Sequence, residues 1–141
     1  MNDLLRLRLT AQLARDEGRR AMMYEDSLGI ETIGIGHSLR RPISDRAIEQ
    51  IFADDIADTE RELLEHAPWM ADVGEARYGA FLNLAFNMGV AGLMGFHHML
   101  AAARSGRWDD VSAHLLDSKY ATQVGDRARR LATQLMVNEW Q

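Results

Sequence analysis

The chain has 141 residues, 47% hydrophobic and 26% charged, with no cysteine and a net charge of −5. That length suits one domain with a sizeable core, and the lack of cysteine excludes a disulfide framework or a thiolate metal site. Residues 45–75 carry ten acids against two arginines, a local −8, which argues against nucleic acid as the main partner and reads as a solvated helix face.

Arg6 and Arg8 interrupt the apolar N-terminal residues. No stretch there is long enough for a signal peptide or a spanning helix, so synthesis in a cytoplasm without stable membrane insertion is expected. Residues 3–16 read as a helix, with Leu4, Leu5, Leu7, Leu9 and Leu13 as apolar positions and Gly18 as the stop. Residues 22–37 change character: two short runs flank Ser27-Leu28-Gly29, a hairpin-like turn. In "TIGIG" a buried strand is expected, with Ile33 and Ile35 on one face and Thr32, Gly34 and Gly36 on the other. The glycine face offers close approach to a ligand or to another backbone.

Ser44 is a good N-cap for a long helix carrying Ile48, Ile51, Phe52, Ile56, Leu63 and Leu64 at helical period, and Pro68 ends it. Such a helix spans about 30 Å and suits a strut between two lobes. Further helices are expected over about 75–88, 91–104, 107–118 and 126–136, punctuated by Gly89, Gly92, Gly106 and Gly125. The chain thus reads as one small β-element early in a mostly helical α+β protein.

Glu17 closes the first helix, Asp26 lies at the hairpin, and Thr32 begins the small-residue face. A carboxyl at a helix C-terminus meets the negative end of the macrodipole, which favours its protonated form, whereas a hairpin aspartate open to water stays ionised. Two carboxyls in unlike settings suit acid catalysis with water activation, as in glycoside hydrolysis. Spacing alone leaves this open, because an acidic chain offers many Glu/Asp pairs. His37 is likewise open to catalytic, metal-binding or structural readings. His97-His98 is not a metal pair, since adjacent residues face different sides of a helix. Trp69, Trp108 and Trp140 read as core or lobe-closing groups rather than sugar platforms.

The spacing of Glu17, Asp26 and Thr32 inside "DEG…Y.D..G..TIGIGH" resembles the bacteriophage lysozyme (endolysin) family, glycoside hydrolase family 24. The likeness continues at "LAFNMG" (84–89), "GRWDD" (106–110), "GDRARR" (125–130) and Trp140, and so covers nearly the whole chain. The resemblance implies a two-lobed lysozyme-like α+β fold in a single domain spanning 1–141. Residues 17–44 would form the small sheet lobe, 45–67 the interlobe helix, and 1–16 with 68–141 the helical lobe. It implies cleavage of the β-1,4 bond between N-acetylmuramic acid and N-acetylglucosamine in peptidoglycan, with inversion, by a monomer needing no cofactor or metal.

Carried over residue by residue, Glu17 is the general acid, Asp26 the second carboxylate and Thr32 the residue that helps hold water. Ser38, Phe86, Asn87 and His114 are substrate contacts. Asn87 is read equally as a helix C-terminal residue before Gly89. Arg127 matches a family arginine that reaches the catalytic glutamate. His37 becomes structural, paired with Asp55 at the start of the interlobe helix. A tail-associated or toxin lysozyme module and a non-catalytic wall-binding protein are the alternatives. The enzyme is expected in a host cytoplasm before lysis, released by a separate factor. The segment after His37 is short, which implies a reduced sheet, and 93–106 is longer than in the best-known member. Arg19, Arg20, Arg127, Arg129 and Arg130 would offset the acidic belt near a cleft.

Overall fold

The computed structural model describes residues 2–141. In chain order the elements are α1 (Asp3–Glu17), β1 (Arg20–Glu25), β2 (Glu31–Gly34), β3 (His37–Ser38), α2 (Asp45–His66), a 3-10 turn (Pro68–Asp72), α3 (Glu75–Met88), α4 (Val90–Met94), α5 (His97–Arg104), α6 (Trp108–Leu116), α7 (Lys119–Val124) and α8 (Asp126–Val137). This is the expected α+β arrangement, a small antiparallel sheet in order β1-β2-β3 within a helical chain. Two compact units divide it, Met1–Glu49 and Gln50–Gln141, with the division inside α2.

In the first unit, α1 begins where the Asn2 side chain accepts the Leu5 N–H at 2.8 Å. It ends at Gly18, whose φ of 74° lets its N–H return to the Ala14 carbonyl. The helix runs one residue beyond the expected end and takes in Glu17. The hairpin turn forms as read, closed by the Gly29 N–H on the Asp26 carbonyl at 3.0 Å. Its strands are less regular than the sequence suggests. Arg20 pairs with Gly34 and Tyr24 with Thr32, so three residues of β1 between these pairs oppose one of β2. The alternating run also stops early. Gly34 and Gly36 both have φ near +70° and turn the chain into the two-residue β3. The more buried face is the Thr32 face: Thr32 is 3% exposed, while Ile33 is half-buried and Ile35 exposed. Ser44 caps α2 as expected, its hydroxyl accepting the Ala47 N–H at 3.3 Å.

The second unit has a close-packed core. Leu63, Met70, Phe81, Leu84, Leu93, Met99, Val111, Leu115 and Leu135 are fully buried. Ala80, Ala102, Ala128 and Ala132 let the helices approach. Truncating a buried phenylalanine such as Phe81 typically costs about 3–5 kcal/mol. Helix α3 has the bounds its periodicity gave. The helix expected over 91–104 is instead α4 and α5, broken where Gly95 folds its N–H onto the Ala91 and Gly92 carbonyls. The apolar period runs through that break, so pattern alone does not reveal it. Helix α7 and the turn at Pro68 were likewise not expected.

Helices α3 and α8 are locked by polar contacts far apart in sequence. Arg77 donates to the Leu135 carbonyl at 2.7 Å and the Met136 carbonyl at 2.9 Å, and its guanidinium lies 4.0 Å from the Trp108 ring centroid. These carbonyls belong to the last turn of α8, where no intrahelical donor remains. Gln134 donates to the Ala76 carbonyl from within the core. Tyr78 on α3 donates to Glu60 on α2 at 2.6 Å. Burial first, and then this carboxylate, push its phenol up to about 12.

Candidate active site

Both expected catalytic carboxylates lie in the first unit, each placed by local backbone chemistry. Glu17 is the last residue of α1, and its side chain lies along Gly36 in the turn between β2 and β3. A methyl group on Gly36 would sit 3.0 Å from Oε2, 3.2 Å from Cδ and 3.3 Å from Cγ. Close approach at the glycine face is therefore real at Gly36, and the approaching group is a side chain of the same chain. Gly34 has open space at the same point.

Asp26 is half-buried and organises the hairpin turn. Its Oδ1 accepts the Leu28 N–H at 2.8 Å and the Ile30 N–H at 2.9 Å. Both bonds converge on one oxygen, which fixes the carboxylate plane and leaves Oδ2 outside the turn's own hydrogen bonding. Thr32 donates its hydroxyl proton to the Ile30 carbonyl at 2.9 Å. Its oxygen keeps lone pairs, so it can accept from a water but has no second proton to donate.

Ser38 pairs with Thr32 across the sheet. Its hydroxyl accepts the Arg40 N–H, and its carbonyl accepts the Arg41 N–H. His37 pairs with Ile33, and its Nε2 is buried without a hydrogen-bond partner among the described residues.

In the second unit, Phe86 and Arg127 come together. They line a groove of about 370 Å³ with Phe52, Ile56, Thr59, Gly79, Leu82, Asn83 and Trp140. Phe86 meets Phe52 edge-on, with ring centroids 5.8 Å apart. Arg127, in the first turn of α8, donates from Nε at 3.0 Å and from its terminal nitrogen at 2.7 Å to Asn83 Oδ1. Asn83, like Thr59, Gly79 and Leu82, is a groove residue that the sequence alone did not single out. It stands in "LNLAFNMG", and its only sequence signal is its position one turn before Asn87 on α3.

Asn87 is exposed near the end of α3 and does not line the groove. His114 is also elsewhere, stacked on His98 with ring centroids 5.9 Å apart in a separate hollow. Asp55 is exposed on α2, where its carbonyl accepts the Thr59 hydroxyl. Trp69 and Trp108 pack against the core as expected. Trp140 instead covers Gly79 and forms a groove wall with 63% of its surface exposed.

Residues 14–134 match the family model for phage lysozyme. The chain is 32% identical over 153 residues to the pre-baseplate central spike protein Gp5 of Enterobacteria phage T4, a match covering 87% of this chain and 26% of that protein. It thus spans about a quarter of that relative's length. It is 23% identical over 150 residues to a probable T4-type lysozyme of Dictyostelium discoideum, covering 84% of this chain and 88% of the relative. It is 32% identical over 94 residues to the endolysin of Salmonella phage P22, covering 60% and 62%.

Proposed function

The chain belongs to the phage lysozyme family, a family of glycoside hydrolases, and from that premise we propose that it is a peptidoglycan hydrolase of the endolysin kind. It cleaves the β-1,4 bond between N-acetylmuramic acid and N-acetylglucosamine. Glu17 protonates the leaving oxygen, Asp26 activates water or stabilises developing positive charge, and Thr32 accepts a hydrogen bond from that water. What supports the reading is the unlike placing of two carboxyls in one compact unit. Glu17 lies against Gly36, while Asp26 is held by two backbone N–H groups.

Phe86 and Arg127 supply a sugar-facing groove, an apolar wall beside a fixed cation. Ser38, Asn87 and His114 are further substrate contacts. His37 keeps a structural role in the sheet, where it pairs with Ile33 and its Nε2 is buried. The reaction inverts, which needs about 6.5–9.5 Å between the carboxyls for the water. The enzyme acts as a monomer, made in the host cytoplasm and carried to the wall by a separate factor. No described helix is long and apolar enough to cross a membrane.

The test is Glu17→Gln, which keeps the side chain's size but has no proton to give to the leaving oxygen. General-acid help is worth about 10²–10⁴-fold, so lysis of purified walls falls to background while sedimentation with them persists. Mass spectrometry of the parent's fragments shows reducing muramic ends. Anhydro ends, or a fully lytic Glu17→Gln, sink the reading. The likeness to the T4 spike protein favours a second reading, a tail-associated lysozyme module. Finding the chain in purified virions selects it over a free endolysin.

A further inference from the structure

We propose that Gly36 is a positioning residue for the catalytic glutamate: its missing side chain is the floor on which the Glu17 carboxylate rests. The proposal rests on the reading of Glu17 as the general acid. A glutamate has three side-chain torsions, and within residues 2–49 no side-chain hydrogen bond or ion pair holds this one. Its placement there comes from two glycines. Gly18 ends α1 immediately after it. Gly36 receives the side chain from Cγ to Oε2, three atoms within 3.0–3.3 Å of where a methyl group would stand. A carbon 3.0 Å from a carboxylate oxygen is tighter than ordinary contact, so a methyl group at position 36 makes the acid give by a few tenths of an ångström.

The sheet carries its own control. Gly34 has φ +69° and Gly36 φ +70°, so both make the same demand on the backbone. In front of Gly34 there is nothing within 4 Å. The two positions therefore share the conformational need for glycine, and Gly36 alone adds a spatial one. Alanine at either position is strained by the left-handed φ, and alanine at 36 also crowds the carboxylate. Misplacing a reacting group by about 1 Å costs on the order of 100-fold in rate, so a shift of a few tenths of an ångström costs several-fold.

The experiment compares Gly36→Ala, Gly34→Ala and Glu17→Gln in the full chain, with kcat and KM measured on a soluble peptidoglycan glycan oligomer and melting temperature recorded alongside. The expected result is a loss of melting temperature for both glycine variants. Gly36→Ala also loses kcat several-fold at unchanged KM, a loss absent from Gly34→Ala. If Glu17→Gln is inactive and the two alanine variants have the same kcat, the positioning role is wrong and the assignment of Glu17 stands. If Glu17→Gln remains active, both fall together. Should Gly36→Ala not fold, Gly36→Asn and Gly34→Asn repeat the comparison, because asparagine tolerates the left-handed region. The same kcat split is then required, and its absence overturns the proposal.

Discussion

Replacing Arg77 with methionine removes the cation that ties α3 to the end of α8 while keeping most of the side chain's length. Three contacts go with it. The bond to the Leu135 carbonyl is part-buried at 2.7 Å and, as a charge-assisted bond, is worth about 1.5 kcal/mol. The bond to the Met136 carbonyl is exposed at 2.9 Å and water replaces it readily, so it contributes about 0.5 kcal/mol. The guanidinium over Trp108 at 4.0 Å adds about 1 kcal/mol. Together these give a loss of about 3 kcal/mol, or roughly 6–12 °C for a chain of this size.

All three tryptophans lie in the second unit, so urea unfolding followed by their fluorescence reports on that unit directly. The midpoint should fall with an unchanged m-value. Arg77→Lys should recover less than half of the loss, because an ammonium does not reproduce the planar fork. Activity should fall at temperatures where the fold still holds, since α3 carries Asn83 and Phe86 and α8 carries Arg127. A loss below about 1 kcal/mol for Arg77→Met would show that water replaces all three contacts and refute the lock.

Asp26→Asn keeps an Oδ1 to accept the Leu28 and Ile30 N–H groups, so the turn survives with a change of less than about 1 kcal/mol, while wall hydrolysis is lost; a fully active variant would remove Asp26 from the mechanism. Among the described residues the buried Tyr120 hydroxyl, at 8% exposure, has no partner, so Tyr120→Phe should leave stability unchanged or raise it by about 1 kcal/mol in a denaturant titration, and a clear loss would reveal a partner. The folded-state pKa of Tyr78, about 12, lies above its unfolded value of about 10, so its contribution is complete below pH 10 and is lost as pH rises through 12. Tyr78→Phe should flatten that alkaline limb of the stability profile, and an unchanged limb would locate the titration elsewhere.

The parts of this protein that were legible in the sequence are those whose hydrogen bonds close over a few residues. The turn at Asp26 binds N–H groups two and four residues on, the Ser44 cap binds one three residues on, and Gly18 returns to Ala14. Such bonds depend on residue type at fixed spacing, so Glu17 at a helix end and Asp26 in a turn could be read from the chain alone. What only the tertiary structure decided are contacts whose partners have no sequence relation. Arg127 meets Asn83 from 44 residues away, Arg77 meets the Leu135 carbonyl from 58, and Trp140 covers Gly79. Each satisfies a polar or apolar surface left over at a helix end or face, and packing selects which element supplies the partner. Gly36 shows both at once: its left-handed backbone belongs to the turn, but its empty Cβ position has meaning only because folding lays Glu17 upon it.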